Sequence, residues 1–127
     1  MKIARLIARI LLGLIFTVFG LNGFLHFLPM PPMSGPPAEF FAALASTHYL
    51  LPIIFAAQTV GGILLVVGIA VPFALVLLAP VIVGILGFHF GFGILAPSAV
   101  GPAILVTVCE LFLASANGDK FSALFSG

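Results

Sequence analysis

Charge is what this chain has least of. Four Lys or Arg and three Asp or Glu make up 6% of its 127 residues, against about a quarter in soluble domains. Hydrophobic residues account for 63%, and the mean hydropathy is +1.42. Folded in water, such a chain would expose far more oily surface than a soluble monomer tolerates. A soluble globular domain is therefore excluded, and the bilayer is the natural solvent. The few cations, at a net charge of +1, form no basic patch for nucleic acid. The single cysteine, Cys109, forbids an intrachain disulfide and a CxxC redox pair. Tryptophan is absent and tyrosine occurs once, so phenylalanine must supply the aromatic belt that Trp and Tyr usually form at membrane surfaces. The chain has three histidines, but His26, His48 and His89 fall on different segments without i,i+4 ligand spacing, so no metal site is expected. There is also no Gly-rich phosphate loop with Lys, and no Ser-His-Asp set.

What the chain does have is one apolar run after another. The run from Ile3 to Phe27 is long enough to span about 30 Å of hydrocarbon at about 1.5 Å per residue. Its start at Lys2, Arg5 and Arg9 also fits a secretory signal peptide. The apolar run exceeds the usual signal core, however, and no A-x-A cleavage site follows, so a retained span is expected. Leu28 to Pro37 holds five of the ten prolines and reads as a rigid extended turn. Ala38 to Thr47 is too short to span. It reads as an interfacial helix with Phe40, Phe41 and Leu44 on one side.

Further spans follow at about 48–68, 72–92 and 99–117. Pro52 and Pro72 suit first turns, and Pro80 should kink its helix near mid-membrane, freeing a carbonyl that a neighbour can satisfy. Gly87 and Gly91 form a small-xxx-small pair that permits close helix approach, within the chain or in a homo-oligomer. The expected fold is all-α, a polytopic four-helix membrane bundle in one domain over 1–127, with a short interfacial helix between spans one and two. Four spans put both termini on one side. Every Lys and Arg (Lys2, Arg5, Arg9 and Lys120) lies near a terminus, so the positive-inside rule makes that side cytoplasmic.

The polar residues inside the spans are few. Asn22 and His26 end span one four residues apart, which puts both on one helical face if the helix continues. Gln58 lies in span two, His89 near the end of span three and Glu110 about ten residues into span four. Counted along the helices, Asn22 and His26 fall in the outer half, His89 near the outer end, Gln58 about nine residues down and Glu110 near the middle, so the polar groups gather toward the outer leaflet. A charged group at a helix centre costs about 2.5–3.5 kcal/mol on insertion scales, so Glu110 should face the bundle. A carboxyl with neutral imidazoles nearby can bind and pass a proton, and can hydrogen-bond a carbonyl head group such as a quinone's. The bland readings are interhelical glue for Asn22 and Gln58, headgroup contact for His26 and His48, and small-residue packing for Cys109. Thr59 and Thr107 can bond back to their own helices.

The order of these pieces resembles the DoxX family of small bacterial four-helix membrane proteins. The resemblance lies in Arg9 and Gly13 before VFGLNGFLHFLP, then PPAEFFAALASTHYLLP, AAQTVGGILLVVG, VPFALVLLAPVIVGILGFHF and a last span containing Glu110. It implies a bacterial cytoplasmic membrane location. The family's association with thiosulfate:quinone oxidoreductase and oxidative-stress complexes implies an accessory subunit of a quinone-linked redox system, with a membrane redox protein as partner. On that reading quinone is the cofactor. Glu110, His89 and His26 act as proton donor and relay, and Asn22 and Gln58 hold the head group. Similar four-span architectures also serve as cargo receptors and assembly chaperones, so a non-catalytic scaffold is the rival, and a small-solute transporter a third reading. Relatives often carry Lys after the first-helix Asn and Glu in the second helix; here Gly23 and Gln58 stand there.

Overall fold

The computed structural model describes residues 2–27 and 34–125, leaving aside the side chains of 97–99, 124 and 125. It contains α1 (Lys2–Leu25), α2 (Pro36–Ser46), α3 (Leu50–Val67), α4 (Val71–Gly91), α5 (Pro97–Ala116) and α6 (Gly118–Phe125). At about 1.5 Å per residue, α1, α3, α4 and α5 reach about 36, 27, 32 and 30 Å, which matches a bilayer core. Three of them, α1, α3 and α4, are long and apolar enough to cross a membrane. In α5 the apolar stretch Val100–Ala116 is slightly shorter. The span boundaries fall within about two residues of those the sequence suggests. The Pro-rich turn lies mostly in 28–33, outside the described residues.

The four long helices close a ring in the order α1, α3, α4, α5 and back to α1. α1 and α3 form the largest contact, and glycine is the reason. A Cβ placed on Gly13 would lie 2.8 Å from the Gly62 carbonyl oxygen, and one on Gly62 2.5 Å from the Thr17 nitrogen. One on Gly20 would meet the Thr59 nitrogen at 2.7 Å. The two backbones touch directly, as small residues allow in membranes. Gly13 facing Gly62 and Gly20 facing Thr59 also fix the pair as antiparallel. By contrast, a Cβ on Gly84, Gly87 or Gly91 would meet nothing within 4 Å. The Gly87/Gly91 pair is therefore not the close contact inside this chain.

The interior is built by Leu12 and Phe16 from α1, Leu65 from α3, Leu75, Leu78 and Ile82 from α4, and Val106, Cys109 and Leu113 from α5. Large apolar side chains such as Leu14, Val60, Val83 and Leu111 point outward, as expected where lipid replaces water. α3 ends at Gly68, whose φ of 83° is the left-handed conformation glycine adopts freely, and its N–H bonds the Leu64 carbonyl at 2.8 Å. Three residues then suffice to turn into α4. α4 continues through Pro80 as one helix. α2 docks on the far end of α4 through rings: Phe41 lies 5.1 Å from Phe88, and Phe40 5.8 Å from both Phe88 and Phe92. These are contact distances for edge and tilted aromatic packing.

Candidate functional site

The two buried polar residues among those described are Asn22 and Glu110, and the fold puts them toward opposite ends of the bundle. Glu110 is six residues, about 9 Å, from the last residue of α5, on the side where α1 begins and α3 ends. Its neighbours around a cavity of about 220 Å³ are Leu75, Val76, Ala79, Ala114 and Phe121. Leu75, Val76 and Ala79 belong to the first half of α4, as the antiparallel pairing of α4 with α5 requires. Depth counting along the sequence sets Glu110 near the middle, grouped with the polar residues of the outer half. The structure places it in the half nearer the termini, because α5 starts at Pro97 and Glu110 is its fourteenth residue.

Phe121 forms one wall of this open cavity. α6 turns back from the end of α5 and packs this half-buried ring against the core. The wall is otherwise aliphatic, and Glu110 Oε1 is buried there with no hydrogen-bond partner. Proline at position 80 also removes the N–H that would bond the carbonyl of Val76, another wall residue. A buried oxygen without a partner costs about 1–3 kcal/mol, so the site is stored polarity in an apolar chamber.

The other four predicted site residues do not line this cavity. His89 is ten residues beyond Ala79 on α4, about 15 Å along the axis. Its Nδ1 is 2.9 Å from the Ile85 carbonyl, and its ring packs on Phe88. His26 follows the end of α1 with a left-handed φ of 53°. Its N–H bonds the Asn22 carbonyl at 2.8 Å and its side chain is exposed. The helix stops at Leu25, so His26 does not share the bundle-facing side of the buried Asn22. Gln58 is half-buried on α3, beside Thr59. Thr59 and Thr107 bond back to Phe55 and Ala103 at 2.8 and 2.7 Å. No group of three or more His, Cys, Asp or Glu residues is placed to hold a metal among the described residues.

Sequence reasoning missed Leu75, Val76, Ala79, Ala114 and Phe121 as walls, because aliphatic residues and one Phe carry no chemical signature. Ala114 at one helical turn from Glu110 was the available hint.

A family model described as DoxX matches residues 4–92. Comparison with curated proteins gives no match, and comparison with solved structures gives none. The matched region runs from α1 through α4, so α5 and Glu110 lie outside it, and the likeness is narrower than the nearly full-length resemblance read from the sequence. With more than half of its length matched, and three helices able to cross a membrane, the chain belongs to the DoxX family and is a small integral membrane protein.

Proposed function

We propose that this protein is an accessory subunit of a membrane redox system that holds the head of a quinone-like lipid beside Glu110. The observation that carries this reading is the apolar cavity with a single buried carboxyl whose Oε1 has no partner. A quinone offers the complementary chemistry: an apolar ring for the aliphatic wall, and a carbonyl oxygen that accepts a hydrogen bond from a protonated carboxyl. A volume of about 220 Å³ is below the roughly 300–1,000 Å³ of drug-sized sites. It therefore suits a ring, with the tail outside among lipid chains past the exposed Val76 and Leu111. Cys109 is the only thiol and cannot cycle between dithiol and disulfide within the chain, so electrons would pass through a partner protein.

In this reading Glu110 orients the head group. His26, His89, Asn22 and Gln58 take no direct part, and His89 would reach the site only through intervening carriers. The setting is the bacterial cytoplasmic membrane with both termini inside. A second reading, a non-catalytic scaffold or assembly chaperone, is favoured by one observation: His89, Thr59, Thr107 and Asn117 all turn their polar atoms to carbonyls of their own helices.

The test is mass spectrometry of the organic extract of protein purified in mild detergent. Wild type is compared with Glu110→Gln and with Ala79→Leu, which fills the cavity, at matched folding and yield. Stoichiometric quinone in wild type, lost from both variants, is the expected outcome. Wild type without an enriched apolar small molecule overturns the proposal in favour of the scaffold.

A further inference from the structure

The chain's four Lys and Arg residues converge on one crevice. Lys2, Arg5, Arg9 and Lys120 line a space of about 520 Å³, with Gly68 and Val71 in its wall. The cations come from residues 2 to 120, so only the fold gathers them. α1 brings three, the α3–α4 turn forms the floor, and α6 brings Lys120.

The electrostatics of the crevice are unbalanced. No salt bridge forms among the described residues, and the nearest acid in the sequence, Asp119, is exposed. Arg9 is half-buried and its Nε has no hydrogen-bond partner. Its guanidinium lies over the end of α3, where a Cβ on Gly68 would fall 2.6 Å from Nη1. Gly68 thus makes room for the Arg9 head. Two of the helix-end carbonyls at this end of the bundle are already engaged. Leu64 accepts from Gly68 and Ile69, and Leu113 accepts from the Asn117 backbone and side chain. α4 begins at Val71 in the crevice wall and adds the positive end of its helix dipole, which offsets the negative ends of α3 and α5 at the same face. The crevice therefore presents four cations, one with an unpaired buried Nε, and no carboxylate in its lining.

We infer that this crevice is a binding site for the head group of an anionic phospholipid. The chemistry recognised is a phosphate diester, which a guanidinium fork and flanking ammonium groups fit. Its position selects a lipid over a soluble anion. The crevice sits at the end of three helices able to cross a membrane, where headgroups lie. Ile3, Leu6, Val67, Ile69 and Phe73 around it are exposed apolar groups along which acyl chains can pack. Basic pockets between membrane helices recognise anionic headgroups by this same combination. This site is separate from the Glu110 cavity, and its occupancy is independent of that reading.

The experiment is native mass spectrometry of the full chain in neutral detergent, titrated with phosphatidylglycerol, phosphatidylcholine or inorganic phosphate. The variants are the Arg5→Gln/Lys120→Gln pair, both exposed positions, and Arg9→Lys, which keeps the charge and loses the fork. Wild type is expected to prefer phosphatidylglycerol by at least tenfold. The double variant should lose roughly thirtyfold in that affinity, from two surface charges, and Arg9→Lys a smaller part. Equal binding of the two lipids, or a preference unchanged in the double variant, overturns the assignment. So does inorganic phosphate that displaces the lipid at equal concentration, which would make the ligand a soluble anion.

Discussion

Replacing Glu110 with Met separates a ligand site from a structural carboxyl. The Oε1 atom is buried without a partner, and such an oxygen costs about 1–3 kcal/mol. Met has a similar unbranched length and adapts to irregular space, so it removes the penalty without opening a large void. Delipidated Glu110→Met protein should therefore be more stable than wild type by about 1–3 kcal/mol. Ligand changes the comparison. At a hundred times its Kd, a ligand bound only by the folded state adds about 2.7 kcal/mol, enough to erase or invert the difference, and the variant should show no such gain. The assay is unfolding in mixed micelles of increasing SDS content, read by helical circular dichroism and by maleimide labelling of Cys109. That thiol is 7% exposed and becomes reactive when the bundle opens. A delipidated variant less stable than wild type by 1 kcal/mol or more would refute the reasoning, because Glu110 would then be holding the helices together.

Three further outcomes follow from the packing. Gly62→Ala should destabilise the bundle by about 1–3 kcal/mol, the usual cost of overpacking, since the added methyl meets Thr17 and Gly13 backbone atoms. Gly87→Ala, facing open space, should be neutral or slightly stabilising in the same SDS titration; equal losses at both positions would contradict the packing described. Phe88→Ala should release α2 from α4, because Phe88 is the ring shared by Phe40, Phe41 and Phe92. Limited proteolysis should then cut within 34–46 severalfold faster, while α1 and α3 remain protected.

Much of the fold was legible in the sequence because the bilayer imposes it. A chain with so few charges must satisfy its backbone internally, and only helices of about 20 apolar residues do so here. Hence α1, α3, α4 and α5 were readable nearly to their ends, as was α2, although it takes in Pro36 and Pro37 as its first turn where the sequence suggested an extended turn. The polar residues were readable as types. Glu110 was singled out as the acid whose burial needs a reason, and it is buried.

Tertiary structure decided which of those residues meet. Small errors in helix starts move a residue along the axis, so Glu110 shifted to the half opposite Asn22, and His26 fell outside α1 once the helix stopped at Leu25. Which glycines pack was also undecided, because Gly13, Gly20 and Gly62 look no different in sequence from Gly84, Gly87 and Gly91. The distinction is whether another backbone lies across from them. Phe121 in the cavity wall and the four cations in one crevice are likewise products of the antiparallel return of α5 and the packing of α6 against the core. The sequence by itself determined the solvent, the elements and the scarce chemistry. The depth at which each helix packs determined the neighbours, because in an apolar chain almost any register buries similar residues and close backbone contact selects one.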